Sequence, residues 1–126
     1  MATVNLTREN FEQTITQNPI VIVDFWAPWC GPCRGFAPIY EQASESHADV
    51  VFAKVNTDEE QELAGSFQIR SIPTLMMFRE QVILFQQAGA LPAAALEQLL
   101  TRAKALDMDE VRTEIAAQSE SAPPAS

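Results

Sequence analysis

Two cysteines, Cys30 and Cys33, are the only thiols in the sequence, and only Gly31 and Pro32 separate them. That spacing puts two sulfurs within one turn of chain, so the pair can pass between dithiol and disulfide by thiolate attack. Metal binding is the other chemistry such a pair serves. Zinc asks for four ligands, and the chain adds one distant histidine, His47, so no metal site is expected within one chain. A cluster bridging two chains and a buried structural pair stay open on the residues alone, although cysteines flanking Gly-Pro on a turn are poor core fillers.

The elements around the pair sharpen its chemistry. The run Ile20 to Trp26 is β-branched and aromatic, and apolar on both alternating sets, which predicts a central strand covered on both faces. Phe36, Ile39, Tyr40 and Ala43 then recur at helical spacing, so the cysteines sit where a strand hands over to a helix. Unpaired amides and the helix dipole favour negative charge there, and the thiolate is the attacking form. Cys30, at or just before the first turn, is therefore expected to be the exposed nucleophile. Cys33, inside the helix and more shielded, is placed to resolve the mixed disulfide. Gly31 lets a partner's backbone come close, and Pro32 fixes φ near the helix start. Asp24 interrupts the apolar strand on the face of Ile22 and Trp26, so burial should raise its pKa. A buried acid close to a dithiol invites a proton-transfer role; the alternative is a structural acid paired with Lys54.

The rest of the chain supplies a scaffold. Thr7 is expected to cap a helix from about Arg8 that carries Phe11 and Ile15, with Asn18-Pro19 ending it. Val50 to Val55 reads as a second buried strand, and Thr57 and Glu60 have capping-box spacing for a helix through Leu63 and Phe67. Strand, helix, strand favours parallel pairing. Thr74–Phe78 and Val82–Phe85 predict an antiparallel hairpin across Arg79-Glu80-Gln81. Gly89 ends it, Pro92 opens a helix, and Leu96, Leu99, Leu100 and Ala103 give that helix an apolar face. Asp107 and Glu110 suit the start of a short further helix with Met108, Val111 and Ile115 on one side. Beyond Gln118 the residues are small, polar and proline-rich, a composition that predicts disorder.

With 126 residues, 47% of them hydrophobic, the chain can close one core with short tails. A net charge of -9 argues against nucleic acid and anionic membranes as partners. The first residues lack a basic start followed by a long apolar stretch, and the run Ile20–Val23 is far too short to span a bilayer. A cytoplasmic protein is the default expectation; a periplasmic one whose leader has been removed is the alternative.

Trp26-Ala27-Pro28-Trp29-Cys30-Gly31-Pro32-Cys33-Arg34 resembles the thioredoxin active-site signature, Asp24-Phe25 precedes it at the family's spacing, and Ile72-Pro73-Thr74 matches the loop that faces the dithiol. The resemblance runs from about Val4 to Leu106. It implies an α/β thioredoxin fold, a central mixed sheet with helices on both faces, over residues 1–106, leaving 107–126 as a short helix and tail outside the family's pattern. It implies a thiol-disulfide oxidoreductase that reduces protein disulfides, is recycled by a flavin-containing, NADPH-dependent thioredoxin reductase, and has no cofactor of its own; a monomer is expected. By resemblance, Asp24, with Lys54 near it, helps deprotonate Cys33 through water. Pro73, trans by default, is cis in the family, and Ile72 offers its backbone to an extended substrate. Trp29, Gly31, Pro32, Gly89 and Ala90 complete a flat docking surface. Gly-Pro between the cysteines, without histidine, resembles reducing members more than oxidases or isomerases. The chain departs from the family in Arg34 for a frequent lysine, Ser71 for a frequent glycine, and Glu80-Gln81 where Asn-Gly is common. A protein that uses the fold only to hold a partner remains the rival reading. His47 is expected to be an exposed helix-end residue without a role.

Overall fold

A computed structural model describes residues 2–121. Its strands are β1 (Thr3–Asn5), β2 (Ile20–Trp26), β3 (Val51–Asn56), β4 (Thr74–Arg79) and β5 (Val82–Ala88), and its helices are α1 (Phe11–Gln17), α2 (Gly31–Ser46), α3 (Gln61–Ser66), α4 (Ala93–Ala105) and α5 (Met108–Ser121). The strands form one mixed sheet in the order β1-β3-β2-β4-β5. β1 and β2 both run parallel to β3, and β4 runs antiparallel to β2 and β5.

The unbroken apolar run of β2 follows from its place in that order. Val21, Val23 and Phe25 enter one core with Phe11, Ile15 and Leu63 from α1 and α3. Ile22 points the other way, into a core built with Phe36 and Tyr40 of α2 and Leu96 and Leu100 of α4. A strand buried on both faces has no polar side to show. Tyr40, fully buried, sets its hydroxyl 2.9 Å from the Ile22 carbonyl oxygen and 2.7 Å from that of Ala53, so α2 is tied to both central strands.

Several local expectations give way to competing bonds. β1 is a three-residue parallel edge strand that the sequence reading did not include. Helix α1 begins at Phe11, because Arg8–Asn10 form a turn in which the amides of Asn10 and Phe11 donate to the Thr7 carbonyl. The capping box does not form: the Thr57 hydroxyl donates 3.1 Å to the Trp26 carbonyl, and α3 has no side-chain cap. The hairpin does form, with Glu80 and Gln81 as its two-residue loop, both at positive φ (50° and 69°). That is the loop geometry that matches strand twist and that Asn-Gly adopts most easily. A register shift between Met77 and Phe78 adds a bulge on β5.

His47 is half-buried and bonded, contrary to the expectation of an exposed residue. It caps α2, its Nε2 lies 2.7 Å from Glu97, and its Nδ1 lies 2.8 Å from Lys104 of α4. Since the Lys104 ammonium can only donate, Nδ1 accepts and the Nε2–H donates to the Glu97 carboxylate.

Asp107 starts α5 by accepting the amides of Asp109 and Glu110, at 2.9 and 3.3 Å. Only the first turn packs: Met108 is buried, Val111 half-buried and Ile115 exposed. Arg112 bonds Glu80 at the hairpin tip, and Arg79 donates to the carbonyls of Ala103 and Leu106. The helix continues through Ser121, past the Gln118 limit expected from composition; the rest of the segment expected to be disordered lies outside the described residues. Among the described residues no helix is long and apolar enough to cross a membrane.

Candidate active site

The parallel register of β2 and β3 pairs Trp26 with Asn56, so both chains leave the sheet at the same edge. Ala27–Trp29 cross that edge, and α2 begins immediately after. Cys30 is its N-cap, with extended backbone, and Pro32 occupies the first turn, where a missing N–H costs no helical bond. Cys33 is then the third helical residue, and its amide points at the Cys30 sulfur from 3.2 Å. The two sulfurs are bonded, with Cα atoms 5.2 Å apart.

Ile72-Pro73, a cis peptide, lies opposite. The Ile72 carbonyl oxygen is 3.7 Å from the Cys30 sulfur, within reach of an S–H donor when the pair is reduced. Cys30 is only 4% exposed, hardly more than the 3% of Cys33. The expectation of an open Cys30 beside a shielded Cys33 is thus corrected for the oxidised pair, since the Ile72 loop and Ala27 cover both. Placement separates the two sulfurs: one at the cap, facing the Ile72 carbonyl, and one inside the helix.

Around this centre Trp29 is 66% exposed. Gly31 and Pro32 are exposed, Ile72 is half-buried and Pro73 is buried. The exposed Gly89 and Ala90 reach the same loop through the Gly89 amide, which donates 2.8 Å to the Pro73 carbonyl. Gly89 has a φ of +105°, a conformation that side-chain-bearing residues rarely adopt.

Asp24 is 1% exposed, and neither of its carboxylate oxygens has a hydrogen-bond partner among the described residues. Burial, opposed by the Lys54 charge, pushes its pKa up to about 7. Asp24 and Lys54 are register partners across β2 and β3, yet no ion pair joins them. The Lys54 ammonium sits 4.5 Å from the centre of the Trp26 ring instead. An acid so placed exchanges its proton near neutral pH, where an ordinary carboxyl is fully ionised. Among the described residues no group of three or more His, Cys, Asp or Glu is arranged to hold a metal ion.

The Thioredoxin family model matches residues 2–102. The chain belongs to the thioredoxin family. It is 57% identical over 117 residues to a putative thioredoxin 2 of Streptomyces coelicolor, covering 93% of this chain and 87% of that one. A solved Plasmodium falciparum thioredoxin superposes with a TM-score of 0.73 at 37% identity, over 79% of this chain and 97% of that one. A mutant thioredoxin of Halobacterium salinarum superposes at 0.76 with 30% identity, over 83% and 92%. The thioredoxin fold expected from the sequence is therefore the fold observed, and the protein is a thiol-disulfide oxidoreductase acting on protein disulfides.

Sequence reasoning missed three supports of this thioredoxin dithiol. Asp58 accepts the Trp29 indole N–H at 3.0 and 3.2 Å, fixing the exposed ring. Thr57 holds the Trp26 carbonyl through both its amide and its hydroxyl. Arg34 donates 2.9 Å to the Pro28 carbonyl, closing the loop that bears the signature. The signal for the first two was available: if β2 and β3 are parallel, the residues after Asn56 must lie beside those after Trp26.

Proposed function

We propose that Cys30 is the attacking thiolate and Cys33 the resolving thiol. The observation that carries this order is the Cys33 amide aimed at the Cys30 sulfur from the start of α2, a donor that favours the anion. The Cys30 thiolate attacks one sulfur of a target disulfide, the target S–S bond breaks, and its other sulfur leaves and takes a proton. Cys33 then loses its proton and attacks the Cys30 sulfur, expelling the second target thiolate. Two electrons pass to the target, and the Cys30–Cys33 disulfide remains.

Asp24 is the acceptor of the Cys33 proton in this reading. Its pKa of about 7 supports that role, since such a carboxyl is partly ionised at neutral pH and can both take and return a proton. Lys54 tunes that acid through space, lowering its pKa from what burial alone would set. Trp29, Gly31, Pro32, Ile72, Pro73, Gly89 and Ala90 form the face on which the target segment docks, with the Ile72 backbone as its edge. Residues 1–106 carry the reaction and 107–126 are an appendage to it. The protein acts as a cytoplasmic monomer and is returned to the dithiol by an NADPH-dependent, flavin-containing thioredoxin reductase.

The test couples the oxidised protein to NADPH and a thioredoxin reductase with insulin as the disulfide target. NADPH oxidation that depends on all three proteins supports the cycle; NADPH left unconsumed refutes the reductase coupling. Oligomeric state is read by sedimentation, and a dimer refutes the monomer.

A further inference from the structure

One side of the dithiol opens into a groove of about 320 Å³ walled by Trp29 and Ile72, floored by the small residues Ala64, Gly65 and Ser71, and bordered by Arg70. The chain carries 17 carboxylates against 8 lysines and arginines, yet none of those carboxylates lines this groove. Asp58, bonded to Trp29, stands outside it. Arg70 is its single charged residue, is exposed, and has no ion pair or side-chain hydrogen bond among the described residues.

That contrasts with most of the other cations. Arg8, Lys104 and Arg112 are paired with carboxylates, Arg34 and Arg79 hold backbone carbonyls, and Lys54 lies over the Trp26 ring. Arg102, in the last turn of α4, is the one other cation without such a partner among the described residues, and it lines no part of this groove. Arg70 keeps a guanidinium free two residues before the Ile72 backbone. Its planar fork suits a carboxylate in particular.

We propose that this groove is a specificity subsite for an acidic side chain of the target protein, close to the attacked cysteine and on one side of it. The inference rests on the reading that the target docks along Trp29 and Ile72-Pro73. An extended segment lying there turns every second side chain to the same side, so with the cysteine facing the dithiol a residue two positions away, on one side of it, enters the groove and meets Arg70. The small floor residues give it room, and no carboxylate among the lining residues competes.

The experiment follows reduction of one peptide, presented as a mixed disulfide with pyridine-2-thiol, by the full-length dithiol protein. Glu, Gln or Lys is placed at successive positions on either side of the peptide cysteine. The expected result is that Glu reacts roughly five-fold faster than Lys on one side of the cysteine only, the scale of an exposed ion pair. The ratio falls toward one in Arg70→Gln and inverts in Arg70→Glu, stays in Arg102→Gln, and shrinks as ionic strength approaches about 1 M. A ratio of one in the wild-type protein, or one that survives Arg70→Gln, overturns the subsite. A Trp29→Ala variant separates this from failure of the docking face. If Trp29→Ala slows every peptide while the charge ratio is one, only the subsite falls; if it slows none, the docking face falls and the subsite with it.

Discussion

Replacing Asp24 by asparagine removes an ionisable group from the interior while keeping its size, and the structure sets how stability should then vary with pH. The folded-state pKa stands at about 7 against 3.8 for an unperturbed aspartate, because burial opposes the charge more than Lys54 favours it. Between those values the folded protein holds a proton that the unfolded chain releases, so stability falls as pH rises. At ~1.4 kcal/mol for each pH unit, the loss reaches about 4 kcal/mol on passing from below pH 3.8 to above pH 7. The asparagine of the Asp24→Asn variant does not titrate and is spared that loss. Denaturant unfolding of both oxidised proteins from pH 4 to pH 8.5 is the assay, because the disulfide keeps the cysteines from titrating. Subtracting the two curves removes the groups they share. The difference should climb toward the variant by about 4 kcal/mol and level off above pH 7. A difference that stays flat would mean that Asp24 ionises as it does in water, and would refute both the buried charge and the proton role built on it.

Three further outcomes are expected. Lys54→Met removes the charge that holds the Asp24 pKa down, so the Asp24 carboxyl should titrate above about 7, read by carbon NMR of that group; an unchanged midpoint would show that the two do not interact. Cys33→Ser should accumulate a mixed disulfide through Cys30 when a disulfide protein is in excess, seen by mass spectrometry, whereas Cys30→Ser should trap none; the reverse pattern would invert the order of attack. Met108→Ala empties the buried seat of α5 and should cost about 2 kcal/mol of stability with peptide reduction rates unchanged; a slower reaction would link the extension to the chemistry.

What could be read from the sequence was set by how local the deciding interaction is. The junction of β2 and α2, the Cys30–Cys33 pair and the hairpin are written in adjacent residues, and each formed where its pattern placed it. Asp24 was legible because one charge in an unbroken apolar strand has no solvent face to occupy. Signals failed where a distant backbone group outbid a neighbour. Thr57 has the spacing of a cap, but the parallel register sets the Trp26 carbonyl beside its hydroxyl. His47 looked exposed because Glu97 and Lys104, its partners, come from a helix fifty residues on. β1 is three residues held by β3, too short for alternation to register. The burial of Cys30 leaves no local trace for the same reason: the Ile72 loop that covers it is adjacent in space and remote in sequence.

Arg79 ends β4, yet its guanidinium grips the carbonyls of Ala103, in the last turn of α4, and of Leu106, its C-cap. Helix ends ordinarily fray first, because their final carbonyls have only water to bind. Here the end of α4 is fastened to the sheet, and Arg112 repeats the attachment one helix later through Glu80. A load applied at the C-terminus, from a fused domain or a surface tether, therefore reaches the hairpin before it can unwind α4. The β4-β5 hairpin thereby anchors the end of α4 and the start of α5 at the end of β2 remote from the dithiol, since Arg79 pairs with Ile20 and the dithiol follows Trp26.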